Sequence, residues 1–195
     1  MNVLVVSAHP SANSFNAALC ERVVQGLTDT NHNFRLRNLY REEFDPRLTV
    51  EEWRGHFNPP ETKDHLSSYF DDLRWCETLV LVYPTWWGGQ PAILKGWMDR
   101  VWANGVAWDL PEGASRLRPL LHNVRRIVTV TTHGAPRRVN AIQGVNGRRI
   151  TNRSLRAICH PLCRTKWLAL YALDSIDEPK RNAFLRRVNK YFSSL

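Results

Sequence analysis

Apolar positions along the chain fall into two alternating patterns. The first is short runs: Asn2–Ser7 (NVLVVS), Thr78–Tyr83 (TLVLVY) and Arg125–Thr132 (RRIVTVTT). Runs of this length, rich in β-branched residues, predict strands buried on both faces. Phe34–Leu39 (FRLRNL) and Thr165–Leu173 (TKWLALYAL) alternate apolar and polar residues and predict two further strands. The second pattern recurs every three or four residues and predicts helices. Ser14 is placed to cap a helix running to about Leu27. Asp64–Cys76 carries Leu66, Tyr69, Phe70, Leu73 and Trp75 roughly on one side. Pro91 sits where a helix starts, followed by Ile93, Leu94, Trp97, Met98, Val101 and Trp102 on one face. A helix begins within Ser154–Cys159 and stops near Pro161, and Pro179 opens a last one that runs to about Tyr191. Tyr40–Lys63 reads as a polar excursion with a short helix near Val50–Arg54. Asn104–Pro119 reads as a loop, and Arg137–Arg149, broken by glycine and asparagine, as an active-site loop.

Strand and helix thus alternate through five strands and five helices. With right-handed crossovers this predicts one α/β domain over residues 1–195, an open parallel sheet with helices on both faces. The expected strand order is 2-1-3-4-5, with its switch point between strands one and three. No internal repeat or low-complexity segment interrupts it.

The loops that leave strands one, three and four then meet at one rim of the sheet. The first contains His9 and leads to Ser14-Phe15-Asn16. Free backbone N–H groups at a helix start favour a phosphate there, although the same residues also serve simply to cap a helix. The second, Pro84-Thr85-Trp86-Trp87-Gly88-Gly89, offers aromatic surface, which suits a flat ring better than a pyrophosphate. The helical phase of Trp97 and Trp102 places them in the core, whereas Trp86 and Trp87 lie in the turn and face the ligand. The third is Thr131-Thr132-His133-Gly134. An isoalloxazine ring needs hydrogen-bond donors along its edge, apolar cover on its face and a helix start for its phosphate, so a flavin meets all three loops.

Composition narrows this further. The chain has 195 residues, 43% of them hydrophobic, and no apolar run long enough to span a membrane. Its start lacks a basic leader and a cleavage-site pattern, which predicts a cytoplasmic protein. Four cysteines without a C-x-x-C pair predict buried, reduced thiols. Cys159-His160-Pro161-Leu162-Cys163 lacks the second ligand cluster a metal needs, so no metal is expected. The net charge of +9 is uneven: residues 113–173 hold 12 Lys and Arg and no acid, while residues 1–112 hold 10 against 15 Asp and Glu. The basic stretch is open to three readings: a solvated face, a nucleic-acid surface, or a field that attracts small phosphorylated ligands. The nucleic-acid reading lacks a recognised module with stacking aromatics, and no nucleic-acid partner is expected.

His9-Pro10 with Ser14-Phe15-Asn16, Tyr83-Pro84 through Trp87-Gly88-Gly89-Gln90-Pro91-Ala92-Ile93-Leu94-Lys95-Gly96-Trp97, Thr131-Thr132-His133-Gly134 and Gln143-Gly144 together carry a resemblance. In order and spacing they resemble the flavodoxin-fold NAD(P)H:quinone oxidoreductases, the DT-diaphorase-like family. The resemblance covers most of the chain. It implies a flavodoxin-like fold, FAD or FMN as cofactor and NAD(P)H as co-substrate. It also implies a quinone or related acceptor, two half-reactions of hydride transfer, and a homodimer with the site at the subunit interface. Position by position, His9, Ser14, Phe15 and Asn16 would surround the phosphate-bearing chain. Pro84, Thr85, Trp86, Trp87 and Gly88 would line the ring, and Thr131, Thr132, His133 and Gly134 its pyrimidine side. Arg181 matches a position that helps to hold the adenosine half in FAD-binding members. His133 and Trp87 are the candidate catalytic residues.

The chain also departs from that pattern. The tyrosine and histidine that relay charge in animal members are replaced by Val139 and Asn146. Gly88 stands where those relatives carry an aromatic, and Leu185 where an acidic partner of Arg181 is expected. FAD and FMN therefore both stay open, and the proton falls to bulk water and His133, or the reduced ring stays anionic. A second function class fits the basic face and the missing relay: an ancillary flavoprotein subunit of a potassium-efflux transporter. One-electron carriage of the flavodoxin kind fits less well, because flavodoxins are usually acidic.

Overall fold

The structure is a computed structural model and describes residues 1–58 and 64–195. The end of the polar excursion, residues 59–63, lies outside the described residues. Among the described residues seven strands form: β1 (Asn2–Ser7), β2 (Asn33–Asn38), β3 (Thr78–Pro84), β4 (Trp108–Asp109), β5 (Arg118–Pro119), β6 (Arg126–Thr132) and β7 (Arg164–Leu170). Five of them make one parallel sheet in the order β2-β1-β3-β6-β7. This is the expected 2-1-3-4-5 arrangement once the short antiparallel pair β4–β5 is set aside. That pair lies within the stretch read from sequence as a loop.

The helices are α1 (Phe15–Asp29), α2 (Val50–Arg54), α3 (Ser67–Trp75), α4 (Ala92–Val101), α5 (Arg137–Ile142), α6 (Asn146–Arg149) and α7 (Glu178–Phe192). Ser14 caps α1 as expected, its side chain accepting from the Ala17 N–H at 3.1 Å. Because side chains alternate along a strand, the inner strands feed two cores. Val3, Val5, Val80, Val82, Val128 and Val130 pack under α1 and α7. Leu4, Val6, Leu79, Leu81, Tyr83 and Ile127 pack against α3 and α4. Trp97 and Trp102 lie in that second core, as their helical phase predicts.

Two differences from the sequence reading have physical causes. Arg137–Arg149 is not a loop but α5 and α6, followed by a π-helical turn at Ile150–Leu155. Its breaks are real, with Gly144 at φ +91° and Val145 at φ +48°, yet the helices survive them because Gly147 N–H donates to Gly88 O at 3.1 Å and fastens α6 to the Trp87 turn. Strand β7 stops at Leu170 rather than Leu173. Beyond it, the Ala172 and Leu173 N–H groups donate to Ala135 O and His133 O, so the loop after β6 takes the bonds a longer strand would use.

The polar excursion is tied down by a buried ion pair. Arg100 on α4 donates from Nε to Glu52 Oε2 at 3.0 Å and from Nη2 to Glu52 Oε1 at 2.8 Å. Both side chains are 6% exposed. Burial by itself would raise the Glu52 carboxyl, but Arg100 and the Thr49 N–H hold it below the ordinary carboxylate value. The same helix leaves no room at Gly96, where an added Cβ would lie 2.2 Å from Pro46 O.

Two outcomes follow for stability, both read by urea unfolding. Gly96→Ala should cost about 1–3 kcal/mol through forced backbone displacement. Arg100→Met should cost about 3–5 kcal/mol by leaving Glu52 buried without its partner, and the double change Arg100→Met with Glu52→Leu should recover much of that loss.

Candidate functional site

The parallel register brings the three loops together. Ser7 lies opposite Val82, and Pro84 opposite Thr132, so the exits of β1, β3 and β6 are neighbours. Between them opens a groove of about 640 Å³. Ten of the residues expected from sequence line it: His9, Ser14, Phe15, Asn16, Pro84, Thr85, Trp86, Trp87, Thr132 and Gly134. Leu173 and Asp174 complete the wall, and sequence reasoning missed both. No spacing motif marks them; they arrive because β7 ends early. Asp174 sits so close that a Cβ on Gly134 would lie 2.8 Å from its Oδ2.

The remaining expected residues stand outside the groove wall. Gly88 lies in the turn with φ +75°. Thr131 and His133 are buried behind the wall. Arg181 is near the start of α7, where its Nη2 donates to Leu173 O at 3.0 Å and so supports the loop that closes the groove.

Each wall carries unspent binding capacity. Ser14 satisfies the Ala17 N–H, which leaves the Phe15 and Asn16 N–H groups at the helix start without an intrahelical partner. Asn16 Nδ2 donates to Thr132 Oγ1 at 2.9 Å, while its buried Oδ1 has no partner. Trp86 and Gly89 exchange both backbone hydrogen bonds, at 3.1 and 2.9 Å. The two residues between them, Trp87 and Gly88, both have positive φ, the geometry of a type I′ turn. Glycine takes that conformation freely; Trp87, at φ +49°, does so at a cost of about 1–3 kcal/mol. Its side chain is 100% exposed. A strained, fully exposed indole at the mouth of a groove is poor for stability and good for contact.

Behind the wall the polar groups satisfy one another. His133 Nδ1 meets Asn140 Oδ1 at 2.7 Å, and Thr85 Oγ1 lies 3.4 Å from His133 Nε2 and 3.0 Å from Thr131 Oγ1. The His133 ring stacks on Tyr171, with centroids 4.4 Å apart. Burial lowers the His133 pKa, and the Asn140 hydrogen bond offsets this only in part. Four arginines, Arg137, Arg138, Arg148 and Arg149, lie on α5 and α6, and none is in an ion pair among the described residues.

All four cysteines are buried and free. Among the described residues no group of three His, Cys, Asp or Glu could hold a metal ion, and no helix is long and apolar enough to cross a membrane.

A family model described as Flavodoxin-like fold matches residues 1–194. The human ribosyldihydronicotinamide dehydrogenase [quinone] is 31% identical over 161 residues, 74% of this chain and 68% of that one. The chain belongs to the flavodoxin-fold NAD(P)H:quinone oxidoreductase family. An uncharacterized NAD(P)H oxidoreductase of Haemophilus influenzae is 38% identical over 116 residues, 59% of this chain and 57% of that one. The chain thus spans about half the length of the first curated relatives it matches. A crystal structure from Streptococcus mutans superposes with a TM-score of 0.87 over all of both chains at 27% identity. The resemblance read from the loop motifs is thereby borne out, as is the fold.

The buried histidine yields a pH prediction. A histidine whose folded-state value is lowered binds its proton less readily in the native state than in the unfolded chain. Its neutral form therefore contributes stability that is fully present above about 6.5, the unfolded value, and declines as pH falls below it. Unfolding measured from pH 8 to 5 should show a steeper acid loss for the natural chain than for His133→Gln.

Proposed function

We propose that this protein is a flavin-dependent NAD(P)H:quinone oxidoreductase that works in two half-reactions. The observation that carries this reading is the groove itself, where a helix start, a tryptophan turn and a threonine-rich strand end converge with polar capacity unspent. When bound, a flavin would supply the redox chemistry, two-electron transfer between NAD(P)H and a quinone or similar acceptor. The protein's own residues bind and orient it. The Phe15 and Asn16 N–H groups and the neighbouring Ser14 and His9 hold the phosphate that FMN and FAD share. The Asn16 amide and the Thr132 hydroxyl meet the polar edge of the ring system. Trp86 and Trp87 cover its face and exclude water. The arginines of α5 and α6 favour approach of the phosphorylated co-substrate. Arg181 steadies the Leu173 loop. The quinone acceptor is supported by the name of the human relative.

A homodimer belongs to the same proposal. The exposed Trp87 indole, with Trp53 at 67% and Phe57 at 63% exposure on the excursion, offers apolar surface that a second copy would cover. We place the protein in the cytoplasm.

The test is direct. Purified protein incubated with FMN or FAD should take up one of them, seen as a bound visible absorption band. It should then oxidise one equivalent of NADH or NADPH per flavin without an acceptor and turn over repeatedly only when a quinone is supplied. Trp87→Ala should weaken flavin binding about tenfold, the loss expected for one well-placed aromatic contact. Protein that takes up neither flavin and shows no quinone-dependent turnover would refute the proposal.

A further inference from the structure

The groups behind the groove wall form a hydrogen-bonded chain with a fixed direction. Asn140 Nδ2 donates to Ala135 O and to Pro136 O, each at 3.0 Å. The opposite amide orientation would set an oxygen against two carbonyl oxygens, so Oδ1 must face His133. Since Oδ1 can only accept, the His133 proton sits on Nδ1, and Nε2 is bare. A bare Nε2 accepts, so the Thr85 hydroxyl proton points inward to it across a long 3.4 Å. The Thr85 oxygen then accepts from the Thr131 hydroxyl at 3.0 Å. Only Thr85 in this chain lines the groove; His133 and Thr131 are buried and Asn140 is 4% exposed.

We propose that His133, locked in its Nδ1–H form by Asn140, is a proton store for the groove and acts through the Thr85 hydroxyl. The inference rests on the flavin reading above. In the resting state Nε2 holds the Thr85 proton inward. When negative charge appears in the groove, the Thr85 Oγ1–H bond breaks as the Nε2–H bond forms, and a new Oγ1–H bond forms with a proton relayed from solvent hydronium, which leaves as water. No electron moves. The bond then reverses: Nε2–H donates to Thr85 and shortens as a charge-assisted bond. The Thr85 hydroxyl turns to donate into the groove. The site gains one positive charge and one outward donor at the moment an anion needs both. His133 is thus a positioning residue, and Thr85 the group that touches the ligand.

The surroundings suit a ring that titrates only on demand. Thr85 faces it from the end of β3, Thr131 from β6 and Asn140 from α5. The Tyr171 ring stacks on it from the segment after β7, and the Trp167 ring lies 6.4 Å away on β7 itself. The Asp174 carboxylate stands against the adjoining Gly134, and Arg181 donates to Leu173 O beside it. Among the described residues no charged side chain is hydrogen-bonded to the imidazole. Burial keeps it neutral until the groove changes.

The test is nitrogen-15 NMR of labelled histidine, first on the free protein and then on the flavin-loaded protein before and after anaerobic reduction. In the free protein we expect a protonated Nδ1 and a bare Nε2. Thr85→Val removes the acceptor of the charge-assisted Nε2–H bond and should lower the His133 titration midpoint; Asn140→Asp, nearly isosteric, should raise it. In the loaded protein, reduction should raise the midpoint by at least about one unit, a tenfold gain in proton affinity, and by much less in Thr85→Val. A proton on Nε2 in the free protein, a Thr85→Val midpoint equal to the natural one, or a midpoint unmoved by reduction with flavin still bound would each overturn the proposal. If no flavin binds, the functional reading falls and the link to redox falls with it. The free-protein titration then still decides the tautomer and the Thr85 bond by itself.

Discussion

The structure depends on the register of one doubly buried strand. A parallel strand covered on both faces must be apolar on both, and its neighbours must all run the same way. β3 meets this demand: Thr78–Tyr83 is buried throughout, paired with β1 on one side and β6 on the other. Its alternation sends Val80 and Val82 to the α1–α7 core and Leu79 and Leu81 to the α3–α4 core. A slip of one residue would exchange the two sets and undo both cores. With that register held, Thr85 N–H donates to Thr132 O at 2.8 Å, and the loops after β1, β3 and β6 have no freedom to part. The groove is a consequence of core packing rather than a separate construction.

At the rim the balance of forces changes. Within the sheet the inner strands β1, β3 and β6 pair with a neighbour on each side. Past the strand ends, polar side chains must find partners or stay in water, because a buried unpaired group costs about 1–3 kcal/mol. Thr131, Thr85, His133 and Asn140 resolve this among themselves, each donating to the next. Asn16 does so only halfway, with its amide nitrogen on Thr132 and its oxygen unpaired. Trp87 goes further, holding an indole in solvent on a left-handed backbone. Stability is given up at the rim of the groove, while the polar groups behind its wall are paired. Val139 and Asn146 stand where the resemblance read from the sequence leads one to expect a charge-relaying tyrosine and histidine. The buried His133 follows the end of β6, with Thr85 between it and the groove.

Local rules of the chain decided a great deal. Strand runs and helical phase placed β1, β3, β6 and α4 nearly to the residue, because burial on two faces or one leaves a periodic trace. Ser14 announced the start of α1 through capping chemistry that acts within four residues; the short helix read at Val50–Arg54 also forms, capped by Thr49. The three loops were legible as one site because parallel topology forces strand ends of one kind to a common rim. What the chain alone could not disclose is whatever depends on contacts between distant segments. Leu173 joined the groove instead of β7 because backbone groups of the loop after β6 claimed its hydrogen bonds. Helices α5 and α6 formed through glycine and asparagine breaks because Gly147 found Gly88 some sixty residues earlier in the sequence. His133 read as a residue at the ring and stands instead behind Thr85, with Asn140 choosing its tautomer. Periodicity and caps are written locally, whereas the partner of a buried polar group is settled only when the whole chain has packed.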